Sequence, residues 1–150
     1  MEIMEIREAV LADEEAVTRL WAILIEQYQK EAKPEILKRA FRYAVHNPRK
    51  IKVYVALANG EIAGTASLHL GHYSTWNDNF YGHVEDLIID PRYRGRGLAY
   101  RLLRKIIEVA REENLARLEL NTKNNNRAAR ELYEKAGFST SSIVYDLTFK

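Results

Sequence analysis

The sequence contains no cysteine. That excludes disulfides, thiolate metal sites and a cysteine nucleophile. No apolar run approaches the roughly 20 residues that span a bilayer, and Met1-Glu2-Ile3-Met4-Glu5 lacks the basic start and apolar middle of a signal peptide. The expectation is a cytoplasmic protein with no membrane partner. An excess of one charge is missing too: Lys and Arg total 23, Asp and Glu 21, for a formal net charge of +2. A duplex binder would show a basic stripe, so nucleic acid is not an expected partner. His46, His69, His72 and His83 match no standard ligand spacing, and no helical His-Glu-x-x-His occurs, so no metal is expected. Repeats, low-complexity tracts and linkers are absent as well. What is present is 150 residues, 47% hydrophobic and 29% charged. That suffices for one domain over residues 1–150 with a real core.

Residues 3–9 read as a first strand, and Asp13 as the N-cap of a helix over 14–30, with Ala16, Val17, Leu20, Trp21, Leu24 and Tyr28 at helical spacing. Pro34 opens a second helix, which stops before Pro48. The period then changes. Ile51–Val55 alternates as a strand, Asn59-Gly60 signals a hairpin turn, and a return strand runs from about Glu61 to Leu70. A polar and aromatic loop is expected over Gly71–Tyr81. Val84–Ile89 reads as a buried central strand. Beyond the turn Pro91–Gly97 a third helix runs to about Glu113, and Arg117–Leu120 alternates as a strand. Asn124-Asn125-Asn126 caps a fourth helix that Gly137 ends, and Ile143–Phe149 is expected as a final strand. Antiparallel strands followed by a strand–helix–strand unit give a mixed α+β class.

The most informative segment is Asp86-Leu87-Ile88-Ile89-Asp90-Pro91-Arg92-Tyr93-Arg94-Gly95-Arg96-Gly97-Leu98-Ala99, a buried strand, a short turn and a helix start. Unpaired N–H groups and the helix dipole favour an anion there. Glycine lets a phosphate approach the backbone, and three arginines add charge. The pattern suits a pyrophosphate. Spacing alone does not separate this from a plain strand-to-helix turn with solvated arginines. The Walker A sequence is absent, and Ala99-Tyr100 stands where a dinucleotide fingerprint would place its third glycine.

Arg94-Gly95-Arg96-Gly97-Leu98-Ala99 resembles the Arg/Gln-x-x-Gly-x-Gly/Ala signature of the GNAT superfamily of N-acetyltransferases. An overlapping match runs from Arg92 to Gly97, and Pro91, three residues upstream of Arg94, favours the later register. Asn126, Ala129, Leu132-Tyr133-Glu134-Lys135 and Gly137-Phe138 resemble the family's C-terminal motif. Order and spacing agree over almost the whole chain. The resemblance implies a central, mostly antiparallel mixed sheet, splayed between its fourth and fifth strands and flanked by about four helices. It implies acetyl-CoA as cosubstrate, with pyrophosphate contacts at Arg94, Gly95, Arg96, Gly97, Leu98, Ala99 and Tyr100. It also implies pantetheine pairing along Leu87, Ile88 and Ile89, and further contacts at Asn126 and Tyr133. Similar proteins are commonly homodimers.

The implied reaction is direct acetyl transfer to a primary amine through a tetrahedral intermediate. An alkyl amine has a pKa of about 10.4, so something must accept its proton. A backbone N–H of Leu87–Ile89 would stabilise the oxyanion. Tyr133 matches the family's helix tyrosine and would protonate the leaving thiolate; otherwise it is a core residue. Glu85 is the candidate base or proton-relay anchor, because an acid in an apolar strand needs a reason; an ion pair is the other reading. By alternation Glu85 shares a face with Leu87 and Ile89, and Asp86 points oppositely. Asn121 is a weaker candidate, since an amide cannot act as a base. The loop Gly71–Tyr81, with His72, Tyr73, Trp76, Asp78, Phe80 and Tyr81, is expected to border the acceptor pocket together with the first two helices. Its aromatic faces, with Asp78 and Glu85, suit a small cationic amine. Gly82-His83-Val84-Glu85-Asp86 is similar to a segment of the amino-sugar acetyltransferases. Three other readings stand beside the small-amine enzyme: a protein N-terminal or lysine acetyltransferase, a non-catalytic acetyl-CoA sensor, and a nucleic-acid module built on Arg92, Arg94, Arg96, Arg101 and Arg104.

Overall fold

A computed structural model describes residues 2–150. Five strands form one sheet in the order of the chain: β1 (Met4–Glu8), β2 (Ile51–Ala58), β3 (Glu61–Ser74), β4 (Asn79–Ile89) and β5 (Arg117–Glu119). The first four are antiparallel, and β5 lies parallel to β4. Helices α1 (Glu14–Gln27) and α2 (Pro34–His46) follow β1, α3 (Leu98–Glu112) follows β4, and α4 (Arg127–Lys135) follows β5. This is the mixed α+β architecture expected from the sequence.

The sheet is covered on both faces because the strands bury alternate residues on each. Tyr54, Ala56, Leu68 and Val84 pack against Leu98, Leu102, Leu103 and Ile106 of α3. Val53, Val55 and Leu57 pack against Val17 and Trp21 of α1 and Phe41 of α2. Asn59 and Gly60 take φ of +51° and +83°, the paired left-handed conformations of a tight hairpin turn.

Three expectations are corrected. The Asp13 carboxylate accepts no hydrogen bond from the N–H groups of α1. It instead accepts from the Val10 backbone N–H at 2.8 Å and pairs with Arg7 at 2.8 Å, fixing the β1–α1 corner. The segment Gly71–Tyr81 is mainly strand, since β3 and β4 extend to a tip at Ser74–Asn79. Cross-strand aromatic pairs hold it: His72 stacks on Tyr81 at 5.0 Å and Tyr73 meets Phe80 edge-on at 5.4 Å. Finally, Ile143–Phe149 forms no strand within the chain. The alternation is there, but none of its residues hydrogen-bonds to the sheet's edge at β5.

Candidate active site

Strand β4 pairs with β5 only at Tyr81, Gly82 and His83. From Val84 onward the two diverge, and the β5-facing edge of Val84–Ile89 has no strand partner. The gap opens into a cleft of about 990 Å³, bounded by the end of β4, the glycine turn, residues 120–126 and α4, with Leu24, Gln27 and Tyr28 of α1 at one side.

Asp90 anchors the turn. It is buried, and its carboxylate accepts from the Arg92 backbone N–H at 3.0 Å and pairs with Arg92 at 2.9 Å and Arg19 at 3.2 Å. Contact with Arg92, more than with Arg19, holds its carboxyl well below the usual range although burial opposes this. Gly95 and Gly97 both adopt φ +78°, and a Cβ at either would meet nothing within 4 Å. The space above the turn is therefore open, and Gly97 caps α3 so that the N–H groups of its first turn face outward. A pyrophosphate fits this arrangement by charge and by access.

The arginines divide unequally. Arg94 lines the cleft, its Nε donating to the Ile89 carbonyl at 3.3 Å. Arg96 turns away: it pairs with Glu2 and lies 5.1 Å over the Tyr93 ring. Arg92 is taken by Asp90. Of the expected cofactor residues, Leu87, Ile88, Ile89, Arg94, Gly95, Gly97, Leu98, Ala99 and Tyr100 line the cleft, as do Asn126 and Tyr133. Arg96 can reach it only through its backbone.

On the opposite wall Asn126 caps α4, its Oδ1 accepting from the Ala129 N–H at 3.1 Å. The Asn126 amide nitrogen has no hydrogen-bond partner among the described residues. At the other end of α4, Gly137 (φ +103°) places its N–H on the Glu134 carbonyl and the Phe138 N–H on the Tyr133 carbonyl, both at 3.0 Å. This C-terminal motif brings Phe138 back onto Tyr133, ring to ring at 6.4 Å. Tyr133 is thus held against Phe138 where it lines the cleft. Burial, with a smaller effect of Tyr28, raises its pKa, so the hydroxyl stays protonated and able to donate.

The alternation assumed for β4 fails at Asp86. Ser67 pairs with Glu85 and Thr65 with Ile88, so Asp86 and Leu87 together oppose Ala66. Asp86 takes φ +55° to make this bulge. Leu87 and Ile89 consequently pack toward α3. By register Glu85 shares the other face with His83 and His69, and with Ile88, instead of with Leu87 and Ile89. His83 Nδ1 lies 2.9 Å from Glu85 Oε1, at an angle poor for a well-made hydrogen bond. That contact lowers the Glu85 pKa and raises that of His83; burial lowers that of His69. Both Glu85 and Asp86 line the cleft. Water reaches Asp86, yet surrounding protein, and secondarily Glu85, push its carboxyl up to about 6. Asp86, not among the candidates expected from the sequence, lines the cleft beside Glu85. Two consecutive acids in an apolar strand, the second of a type that tolerates positive φ, were the available signal. Asn121 also lines the cleft, whereas no residue of Gly71–Tyr81 does. The aromatic segment does not border the cleft because pairing extends it away as a hairpin.

A mixed sheet parted beside a glycine-led helix defines the class: an acyl-CoA N-acyltransferase fold. Residues 15–138 match the profile of the acetyltransferase (GNAT) family, and the chain belongs to that family. It is an acetyl-CoA-dependent N-acetyltransferase. It is similar to an aminoalkylphosphonate N-acetyltransferase of Salmonella typhimurium, 28% identical over 97% of this chain and 91% of that protein. It is also similar to a glucosamine 6-phosphate N-acetyltransferase of Trypanosoma brucei brucei, 33% identical over 58% of this chain and 57% of the relative. The crystal structure of a predicted acetyltransferase from Clostridium acetobutylicum, solved with acetyl-CoA, superposes with a TM-score of 0.81 at 21% identity, covering 97% of this chain and 96% of that one. Among the described residues no helix is long and apolar enough to cross a membrane, and no cluster could hold a metal ion.

Proposed function

We propose that the enzyme acetylates the primary amine of a small molecule. The observation that carries this reading is the pair Glu85 and Asp86 at the parting of β4 and β5, the two acidic side chains of a cleft whose lining also carries Arg94, Lys123 and Lys135. A protonated amine is attracted to such a site, and Glu85 takes up its proton, directly or through water. The freed nitrogen attacks the acetyl carbonyl. A backbone N–H of the unpaired β4 edge at Leu87–Ile89 holds the developing oxyanion, and Tyr133 gives its phenolic proton to the departing thiolate sulfur. The C–S bond breaks as the oxyanion collapses to the carbonyl, and the second proton of the attacking nitrogen passes to the Tyr133 phenolate, directly or through water. Gly95–Tyr100 and Arg94 hold the pyrophosphate, with Asn126 as a further contact on the facing wall.

A second reading is an acceptor that also carries a phosphonate or phosphate. It is supported by the two relatives whose acceptors bear such groups, and by Lys123, which lines the cleft 4.7 Å from the centre of the Tyr28 ring. Thiol release from acetyl-CoA separates these readings over a panel of aminoalkylphosphonates, amino-sugar phosphates, uncharged-tail diamines and short peptides. Turnover on small amines supports the proposal, and the anionic members divide its two forms. Turnover on peptides alone would make the enzyme a protein acetyltransferase. No turnover on any member of the panel, with acetyl-CoA binding retained, would overturn the proposal of a small-amine acceptor.

A further inference from the structure

A polar patch interrupts the sheet where β4 and β5 part. His69 of β3, His83 of β4 and Glu119 of β5 stand in one row across it, and Ser67 and Glu85 stand in the next. That second row continues into Val53, which packs against α1 and α2. Ser67 is buried, and its hydroxyl has no hydrogen-bond partner among the described residues. Polar groups drawn into a packed face at a cost in free energy call for a use.

His83 is the member whose two sides differ. Its Nδ1 is buried and lies 2.9 Å from Glu85 Oε1, while 30% of the side chain remains exposed. The ring therefore has a dry side against Glu85 and a wet side away from it. Glu85 lines the cleft and His83 does not, so the carboxylate stands between the cleft and the imidazole. The angle of the contact is poor, but acid–base pairs commonly align fully only with substrate bound.

An acceptor and acetyl-CoA seated in the cleft cover Glu85, and a proton it has taken up then needs another way to water. A carboxylate is also a poor resting place for that proton. Its ordinary pKa is about 4.3 against about 10.4 for an alkyl amine, and an imidazole at about 6.5 is the better match. The surroundings favour the imidazolium: contact with Glu85, and more weakly Glu119, raises the His83 pKa although burial opposes this. Glu119 is itself paired with Arg117 at 3.1 Å. Burial lowers the pKa of His69, so the facing ring on β3 does not set a second charge beside the first. From α1 the cleft receives Leu24, Gln27 and Tyr28, none of them an acid or a base at neutral pH.

We propose that His83 is the proton outlet of the site: Glu85 passes the proton taken from the acceptor ammonium to neutral His83, and the imidazolium so formed releases a proton to water from its exposed side. The ammonium becomes an amine, Glu85 is again a carboxylate, and one proton reaches solvent. His83 touches neither acceptor nor cofactor and acts through Glu85. The inference rests on Glu85 as the base, not on the identity of the acceptor.

The pH dependence of kcat/KM for the best acceptor of the panel tests it. The unsubstituted enzyme is expected to reach its plateau once His83 is neutral, above about pH 6.5 and well before the amine itself loses its proton near pH 10. His83→Gln keeps a hydrogen-bonding amide but cannot carry the proton. Its kcat/KM is expected to be about 100-fold lower near neutral pH. The deficit should shrink to a few-fold as pH approaches the pKa of the amine, which then arrives without its extra proton. No deficit, or a deficit of one size at every pH, would overturn the proposal. Glu85→Gln separates this from the reading beneath it. If Glu85→Gln is also harmless, Glu85 is not the base; if it is impaired and His83→Gln is not, the outlet alone fails. Nuclear magnetic resonance of the imidazole gives a reading independent of turnover and of the His83 variant. The His83 ring of the unsubstituted protein should titrate above about 6.5, and lower in Glu85→Gln; a ring indifferent to that substitution would overturn the proposal.

Discussion

Strand β4 is bounded by two turns, and they differ in kind. At its start, Ser74–Asn79 is rich in side chains: Trp76 stands 93% exposed at the tip, and Tyr73, Phe80, His72 and Tyr81 flank it. At its end, Arg94–Leu98 is rich in backbone: two glycines at φ +78°, an open space above them and a buried aspartate beneath. Residue type alone makes the first look like a binding site. The second is the one that faces the cleft. Aromatics in the first turn pair across strands and so satisfy one another, while the N–H groups of the second have no partner among the described residues and can take one from outside.

The largest effect that distinguishes the two turns is expected from Gly97→Asp. It combines a side chain at positive φ with a carboxylate at the pyrophosphate seat, and acetyl-CoA affinity should fall by about 100-fold or more, equivalent to ~2.8 kcal/mol. Calorimetric titration measures this, and retained affinity would move the seat elsewhere. Next is Tyr133→Phe. Loss of the donated proton should lower kcat by about 100-fold while KM for acetyl-CoA changes little; steady-state kinetics would exclude Tyr133 from the reaction if kcat were unchanged.

Asp90→Ala tests the support beneath the glycine turn. Losing a buried, doubly paired carboxylate should cost about 2 kcal/mol, or roughly 4–8 °C in Tm at neutral pH. The folded pKa of Asp90 lies below its unfolded value, so its stabilisation is complete above the ordinary carboxylate range and is lost as pH falls through the depressed folded value. The difference in Tm between the two proteins should therefore shrink as the solution is acidified below about pH 4. The smallest effect belongs to the other turn: Trp76→Ala should leave kcat/KM within about twofold, since truncating an exposed side chain away from such features is nearly neutral. A tenfold loss would return the hairpin tip to the acceptor site.

The same contrast explains what the sequence made legible. Helices α1 to α4 announce themselves by period and by Pro34, Asn126 and Gly137, because caps and apolar faces are local properties. The glycine turn is legible for the same reason, and the resemblance carried by Arg94–Ala99 and Asn126–Phe138 agrees with the profile match over residues 15–138. The orientation of Glu85 was not legible, because strict alternation contains no term for the extra residue at Asp86; one bulge moved Leu87 and Ile89 to the opposite face. The hairpin is not legible in the sequence because its stability lies in cross-strand pairs, which no single segment displays. Ile143–Phe149 has a strand's pattern without a strand's partner, and pairing, unlike period, is a property of two segments.

The claim on which the rest depends is that the backbone from Gly95 to Tyr100 holds the diphosphate of acetyl-CoA. Titration of the isotopically labelled protein with coenzyme A, followed by amide nuclear magnetic resonance, tests it residue by residue. Saturable shifts at Gly95, Gly97, Leu98 and Ala99, with smaller ones at Asn126, are the expected result. Saturation of binding with those amides unmoved would contradict it.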